Sequence, residues 1–137
     1  MKNIGTHSFS KFSDEYGSLI ALEEMKQIPF TVKRVYYIFD VEEDVRRGFH
    51  SHLELNQMLI CVSGSVKILL KTPYDEKIVE LNEPSKGLYI GPMIWREMFD
   101  FTPGTVLLVL ADELYDEAEY IRNYEKYEVL AKEYFKE

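Results

Sequence analysis

The densest run of side chains able to do chemistry in this 137-residue sequence is Arg46-Arg47-Gly48-Phe49-His50-Ser51-His52. In a strand, residues two apart share a face, so His50 and His52 point the same way. Gly48 permits a bulge or a close backbone approach just before them. Two imidazoles on one face support two chemistries. The first is a metal site, which needs further ligands: a carboxylate a few residues on and a third histidine from a later strand. Glu54 follows His52 by two, but Asn56 and Gln57 occupy the next positions. The only other histidine, His7, lies near the N-terminus. A catalytic metal needs about three protein ligands, so no metal is assigned. The second is acid–base chemistry, because an imidazole both removes and returns a proton near neutrality. The plain alternative is a pair of ordinary polar strand residues. The two arginines and the glycine beside the pair weigh toward function.

Two other segments add candidates. In Lys33-Arg34-Val35-Tyr36-Tyr37, alternation puts Arg34 and Tyr36 on one face. Facing a barrel interior, they make an anion contact beside a proton donor; facing water, they are a solvated basic edge. In Gly91-Pro92-Met93-Ile94-Trp95-Arg96-Glu97-Met98, Arg96 sits among apolar neighbours, where an unpaired guanidinium is costly. It therefore calls for Glu97, another carboxylate or an anionic ligand. Trp95 is a core residue or a stacking surface, and core is the safer reading.

The elements that position these residues read as short strands. They are Ser18–Leu22, Val32–Phe39, Phe49–Leu53, Gln57–Val62, Ser65–Lys71, Lys77–Leu81, Gly87–Ile90, Glu97–Phe101 and Thr105–Ala111. Ser63-Gly64 reads as a hairpin turn between two of them. Evenly spaced strands indicate an all-β sandwich or barrel. From Asp116 onward Tyr120, Tyr124, Tyr127 and Ala131 recur at helical spacing, which predicts a C-terminal helix of about 18 residues.

The length fits one domain, 1–137, large enough to bury a core without staples. The net charge of −8 argues against a nucleic-acid partner, which requires a basic face. Most of that acidity, a net −5, falls in residues 112–137. The strand region keeps its arginines, so a small anion is not excluded. Cys61, in an apolar run, reads as a buried inert thiol. No secretory signal or bilayer-length apolar run is visible, so a soluble cytoplasmic protein with no membrane partner is expected.

In order along the chain stand Ile28-Pro29-Phe30, Lys33-Arg34-Val35-Tyr36-Tyr37, Arg47-Gly48-Phe49-His50-Ser51-His52, Gln57, Gly64-Ser65, Gly87-Leu88-Tyr89, Trp95-Arg96-Glu97-Met98 and Tyr120-Ile121-Arg122. This set resembles the cupin family of thymidine-diphosphate-linked (dTDP-linked) 4-keto-6-deoxyglucose 3,4-ketoisomerases, the WxcM-like sugar ketoisomerases, and the resemblance runs from about residue 9 to residue 127. The resemblance implies a small cupin fold, a double-stranded β-helix or jelly-roll barrel, with no metal and no other cofactor. It implies a homodimer with exchanged N-terminal strands and a dTDP-linked 4-keto-6-deoxy sugar as substrate. His50 would be the base moving a proton between C3 and C4. His52 and Tyr36 would assist. Arg34 and Arg47 would contact the pyrophosphate or the sugar, with Gln57 and Trp95 also lining the substrate. Tyr16 and Arg96 match the branch that yields the 3-keto-6-deoxyglucose product rather than the galacto isomer. The product would feed a 3-amino-3,6-dideoxyhexose, in lipopolysaccharide or S-layer glycan synthesis. The competing readings are a related 3,5-epimerase cupin, a non-catalytic cupin that binds a sugar nucleotide, and a metal-dependent cupin.

Overall fold

The computed structural model describes residues 1–136 and is mainly β. Twelve strands follow in order: β1 Ile4–Ser8, β2 Phe12–Asp14, β3 Gly17–Leu19, β4 Arg34–Ile38, β5 Arg47–His52, β6 Gln57–Ser63, β7 Val66–Lys71, β8 Glu76–Leu81, β9 Lys86–Ile90, β10 Trp95–Phe99, β11 Val106–Ala111 and β12 Tyr120–Ile121. One helix, α1, covers Tyr124–Tyr134. Two antiparallel five-stranded sheets are ordered β1-β9-β6-β11-β4 and β12-β5-β10-β7-β8. The β2–β3 hairpin belongs to neither.

Alternation explains how the layers close. On β6, Leu59 and Cys61 join Val109 of β11 and Ile68, Leu70 and Met98 of the opposite sheet in the central core. Met58 and Ile60 point outward, where Phe9, Ile28 and Phe30 cover them. The outer face of the second sheet is covered by α1, with Met93, Trp95, Tyr127 and Ala131 packed together. Both faces of both strands β6 and β10 are thus buried, which is why β6 reads as a continuous apolar run.

Four local expectations are corrected. β6 and β7 do not form a hairpin: β6 pairs with β9 and β11, and β7 with β8 and β10. Ser63-Gly64 instead carries the chain from one sheet to the other. Gly64 has a φ of +77°, and an added Cβ would sit 2.8 Å from the Cα of Thr105, so the turn needs glycine for both reasons. The predicted strand over Ser18–Leu22 is the short β3, and β1 and β2 precede it where no strand was expected. The 18-residue helix is replaced by a 3₁₀ turn over Glu117–Glu119, the extended pair Tyr120–Ile121 and an 11-residue helix. Asn123 sets the helix start, its side chain accepting from the Lys126 N–H at 2.9 Å. Tyr120 therefore lies on a strand, and its helical spacing with Tyr124 is coincidental. No helix among the described residues is long and apolar enough to cross a membrane.

Candidate active site

The site forms between β5 and β10 on one sheet and β4 and β6 on the other. His50 lies opposite Arg96 across the β5–β10 ladder, and His52 lies opposite Tyr120 across the β5–β12 ladder. The His50 and His52 rings stand 4.9 Å apart and nearly perpendicular. The Tyr120 ring caps both, at 5.1 Å from His50 and 4.3 Å from His52.

A bulge at the start of β5 shapes this face. Arg96 pairs with His50, but the next residue, Glu97, pairs with Gly48, so Phe49 is the extra residue. Gly48 has a φ of +93° and Phe49 a φ of 57°. Beyond the bulge, Arg47 lies opposite Met98. Directly opposed residues share a face, and Met98 points into the core. Arg47 therefore shares the interior face with His50 and His52, at the exposed rim. Simple alternation along the sequence would have put it on the other side.

From the opposite sheet, the Tyr36 hydroxyl accepts from Gln57 Nε2 at 3.0 Å. Arg96 donates to Gln57 Oε1 at 2.5 Å and to the Ile94 carbonyl at 3.1 Å. The guanidinium of Arg34 lies 5.3 Å over the Tyr36 ring and 5.7 Å from that of Tyr115. At the mouth, Arg122 stacks 4.3 Å over Tyr120 and forms a two-point ion pair with Glu117, at 2.7 and 3.0 Å.

The electrostatics are set by burial. His50 is held down to about 3, first by burial and then by the Arg96 charge. His52 is pushed lower for the same two reasons, with the His50 imidazole third. Both are neutral near pH 7. Arg96 is 1% exposed, and burial pushes it down to about 10. It has no carboxylate partner among the described residues. One of its terminal nitrogens and both ring nitrogens of His52 lack a protein partner as well. Glu97 does not serve Arg96. It points to the outer face, where it accepts from Arg46 at 2.7 Å and from the Trp95 indole at 2.8 Å.

The structure therefore gathers His50, His52, Tyr36, Arg34, Gln57 and Arg96, with Arg47 at the rim. It does not bring two other candidates to them. Trp95, 4% exposed, lies on the outer face of β10, packed edge-to-face on Tyr124 at 5.0 Å and tilted against Tyr127 at 5.4 Å. It anchors α1 and lines nothing on the histidine side. Tyr16 sits at the tip of the β2–β3 hairpin, 89% exposed. His7 is on β1 opposite Gly87, away from the other two histidines. Tyr115, Tyr120 and the Glu117–Arg122 pair were not singled out for a role. The motif Tyr120-Ile121-Arg122 was the available signal, masked by the helical spacing. Cys61 is buried, which raises its thiol pKa, as an inert residue requires.

Fold and site together define a small cupin-type barrel whose interior holds neutral imidazoles, phenols and a buried guanidinium. The sequence matches the FdtA family, described as WxcM-like, C-terminal, over residues 2–132, and the chain belongs to that family. It is 47% identical over 120 residues to a TDP-4-oxo-6-deoxy-alpha-D-glucose-3,4-oxoisomerase of Aneurinibacillus thermoaerophilus, covering 88% of this chain and 86% of that one. The crystal structure of QdtA, a sugar 3,4-ketoisomerase from Thermoanaerobacterium thermosaccharolyticum, in complex with TDP superposes with a TM-score of 0.97 at 58% identity, covering 98% of each chain. A histidine-to-asparagine mutant of QdtA in complex with TDP-4-keto-6-deoxyglucose superposes with a TM-score of 0.98 at 57% identity, covering 100% of this chain and 99% of the other.

Proposed function

We propose that this protein is a sugar-nucleotide 3,4-ketoisomerase, converting dTDP-4-keto-6-deoxy-D-glucose into dTDP-3-keto-6-deoxy-D-glucose. The observation that carries the reading is one face bearing two imidazoles kept neutral, with a buried, carboxylate-free arginine directly opposite. The similarity to isomerases of this sugar supports the substrate class.

The residues fit the chemistry. A ketone at C4 acidifies the proton on C3. His50, already neutral, takes that proton without first losing one of its own. The electron pair left on C3 moves into a C3–C4 enediolate, and the negative charge falls on the C4 oxygen. Arg96 and the Tyr36 phenol are positioned to stabilise that oxygen. Three proton movements complete the exchange: the C4 oxygen gains a proton, C4 gains one on carbon, and the C3 hydroxyl loses its own as the C3 ketone forms, so the proton taken by His50 and the one shed by the hydroxyl are both returned to the sugar. No atom is gained or lost and no electron leaves the substrate, so the reaction draws on no redox cofactor. The diphosphate adds negative charge near Arg34 and Arg47, which opposes the depression of the imidazoles by Arg96 and strengthens the base.

The active form is a homodimer, with N-terminal segments exchanged. β1 pairs with β9 of its own chain, so the exchanged piece is the β2–β3 hairpin, which would deliver Tyr16 to the partner's site. Tyr16 and Arg96 favour the gluco product. The whole chain, 1–137, works as one catalytic unit in the cytoplasm. Its 3-keto product suits an aminotransferase that makes a 3-amino-3,6-dideoxyhexose.

Incubation with the 4-keto sugar nucleotide, followed by proton NMR, tests the reading. The ketone is expected at C3, with the C4 hydroxyl in the gluco configuration. A product still ketonic at C4 and inverted at C3 or C5 would mark an epimerase. His50→Asn is expected to abolish turnover and to leave TDP binding nearly intact; a variant at near-wild-type rate would remove His50 as the base.

A further inference from the structure

Arg96, Gln57 and Tyr36 form a chain of hydrogen bonds that runs in one direction only. A guanidinium donates and never accepts. Arg96 therefore fixes Gln57 with its oxygen toward the guanidinium, at 2.5 Å. That leaves the Gln57 amide nitrogen, a donor only, against the Tyr36 oxygen at 3.0 Å. A phenol that accepts from Gln57 must point its own hydrogen elsewhere. The other groups acting on the phenol are Arg34 and Arg96, which are donors only, and Tyr120, whose ring caps both histidines, so the hydrogen is left the interior beside them.

We infer that Gln57 is a positioning residue that turns Tyr36 into an obligate hydrogen-bond donor, not a contact to the substrate. Arg96 sets the amide, the amide sets the phenol, and the phenol presents its proton toward the substrate oxygens. Burial raises the pKa of the phenol, and the Gln57 hydrogen bond offsets part of that rise. Gln57 is itself 1% exposed. Turning its amide over would set the –NH2 against the Arg96 guanidinium, donor to donor, so Arg96 holds the orientation. The inference rests on the ketoisomerase reading for its catalytic consequence, but the direction of the chain is a property of the free protein.

Gln57→Glu tests it with almost no change of shape. A carboxylate accepts from Arg96 through one oxygen and from the Tyr36 O–H through the other, so the phenol turns away from the substrate. The expected result is a fall in kcat of about a hundredfold, the scale of a lost proton donor, with KM nearly unchanged. Gln57→Met, which removes the N–H without adding an acceptor, is expected to cost much less. In a Tyr36→Phe background both effects should vanish, since there is no phenol left to turn. A Gln57→Glu effect that stays as large without the phenol, or a kcat within threefold of wild type, would overturn the inference.

A second readout needs no turnover. With tyrosine labelled by ¹³C at Cζ, the Tyr36 resonance is identified by its loss in Tyr36→Phe and titrated upward from neutral pH. Its midpoint should rise in Gln57→Glu and Gln57→Met relative to wild type. An unmoved midpoint would also overturn the relay. A protein without isomerase activity but with the shifted midpoint would fail the functional reading and keep the relay.

Discussion

The two histidines are the clearest case of a residue whose chemistry is decided by its surroundings. His52 is fully buried and His50 half-buried, and both lose basicity to burial and to Arg96. In the unfolded chain each titrates near 6.5. Below that value the unfolded state binds protons that the folded state refuses, so stability falls as pH falls. The loss begins near the unfolded value and continues toward about 3 for His50. Each histidine contributes a slope of at most about 1.4 kcal/mol per pH unit within that window. Urea unfolding at neutral pH and again at mildly acid pH is expected to show this loss. His50→Asn should flatten the slope by about one histidine's share. An unchanged slope in the variant would mean that His50 carries a proton in the folded protein. The histidine pair and its shared face were legible in the sequence because strand alternation is local. The burial of Arg96 was half legible. Its apolar neighbours signalled the need for a partner, but a glutamine on a facing strand cannot be seen from one strand alone.

At the scale of elements, the bulge in β5 does most to build the site. It lets Arg47, His50 and His52 share one face although their spacing is uneven. Gly48 makes it possible: an added Cβ would lie 2.9 Å from the Arg96 carbonyl oxygen, and its φ of +93° is one that other residues rarely adopt. Gly48→Ala is therefore expected to destabilise the protein by about 1–3 kcal/mol. It should also reduce activity beyond what the lost stability explains, since the strain falls on the backbone joining His50 to Arg96. A variant with wild-type melting temperature and rate would show that the bulge tolerates a side chain. The glycine itself was a visible signal, but which partner residue it faces depends on register, a long-range property. The same limit applies to the C-terminal segment. Its tyrosine spacing fitted a helix throughout, while pairing with β5 pulled Tyr120 into a strand and the Asn123 cap delayed the helix by about two turns. Local periodicity lost to a tertiary contact there. The same happened at Ser63-Gly64, where turn chemistry was read correctly and the strands it joins went to different sheets.

For the whole molecule, the distribution of apolar surface argues for a second copy. The β2–β3 hairpin is paired with neither sheet, yet Phe12 is 64% and Leu19 60% exposed. A two-stranded hairpin alone is at best marginally stable in water. Along the edge strand β4, Val35 and Tyr37 point outward at 54% and 60% exposure, with Phe39 just beyond at 54%. Exposed apolar stripes of this kind are the surface that the proposed dimer would cover. The acidic excess does not oppose such pairing, since much of it lies in residues 112–137 rather than in the hairpin segment. If the hairpin docks on a partner, Tyr16 reaches a site its own chain cannot give it to. Sedimentation at micromolar protein is then expected to show a dimer. Replacing Phe12 and Leu19 together by serine should yield a folded monomer, because neither side chain is part of the central core. That monomer should lose most of its turnover while His50, Arg96 and Tyr36 remain in place. Adding Tyr16→Phe to the monomer should then change nothing, whereas in the dimer it should lower the rate. A fully active monomer would separate the hairpin from catalysis and leave the barrel of one chain as the complete site.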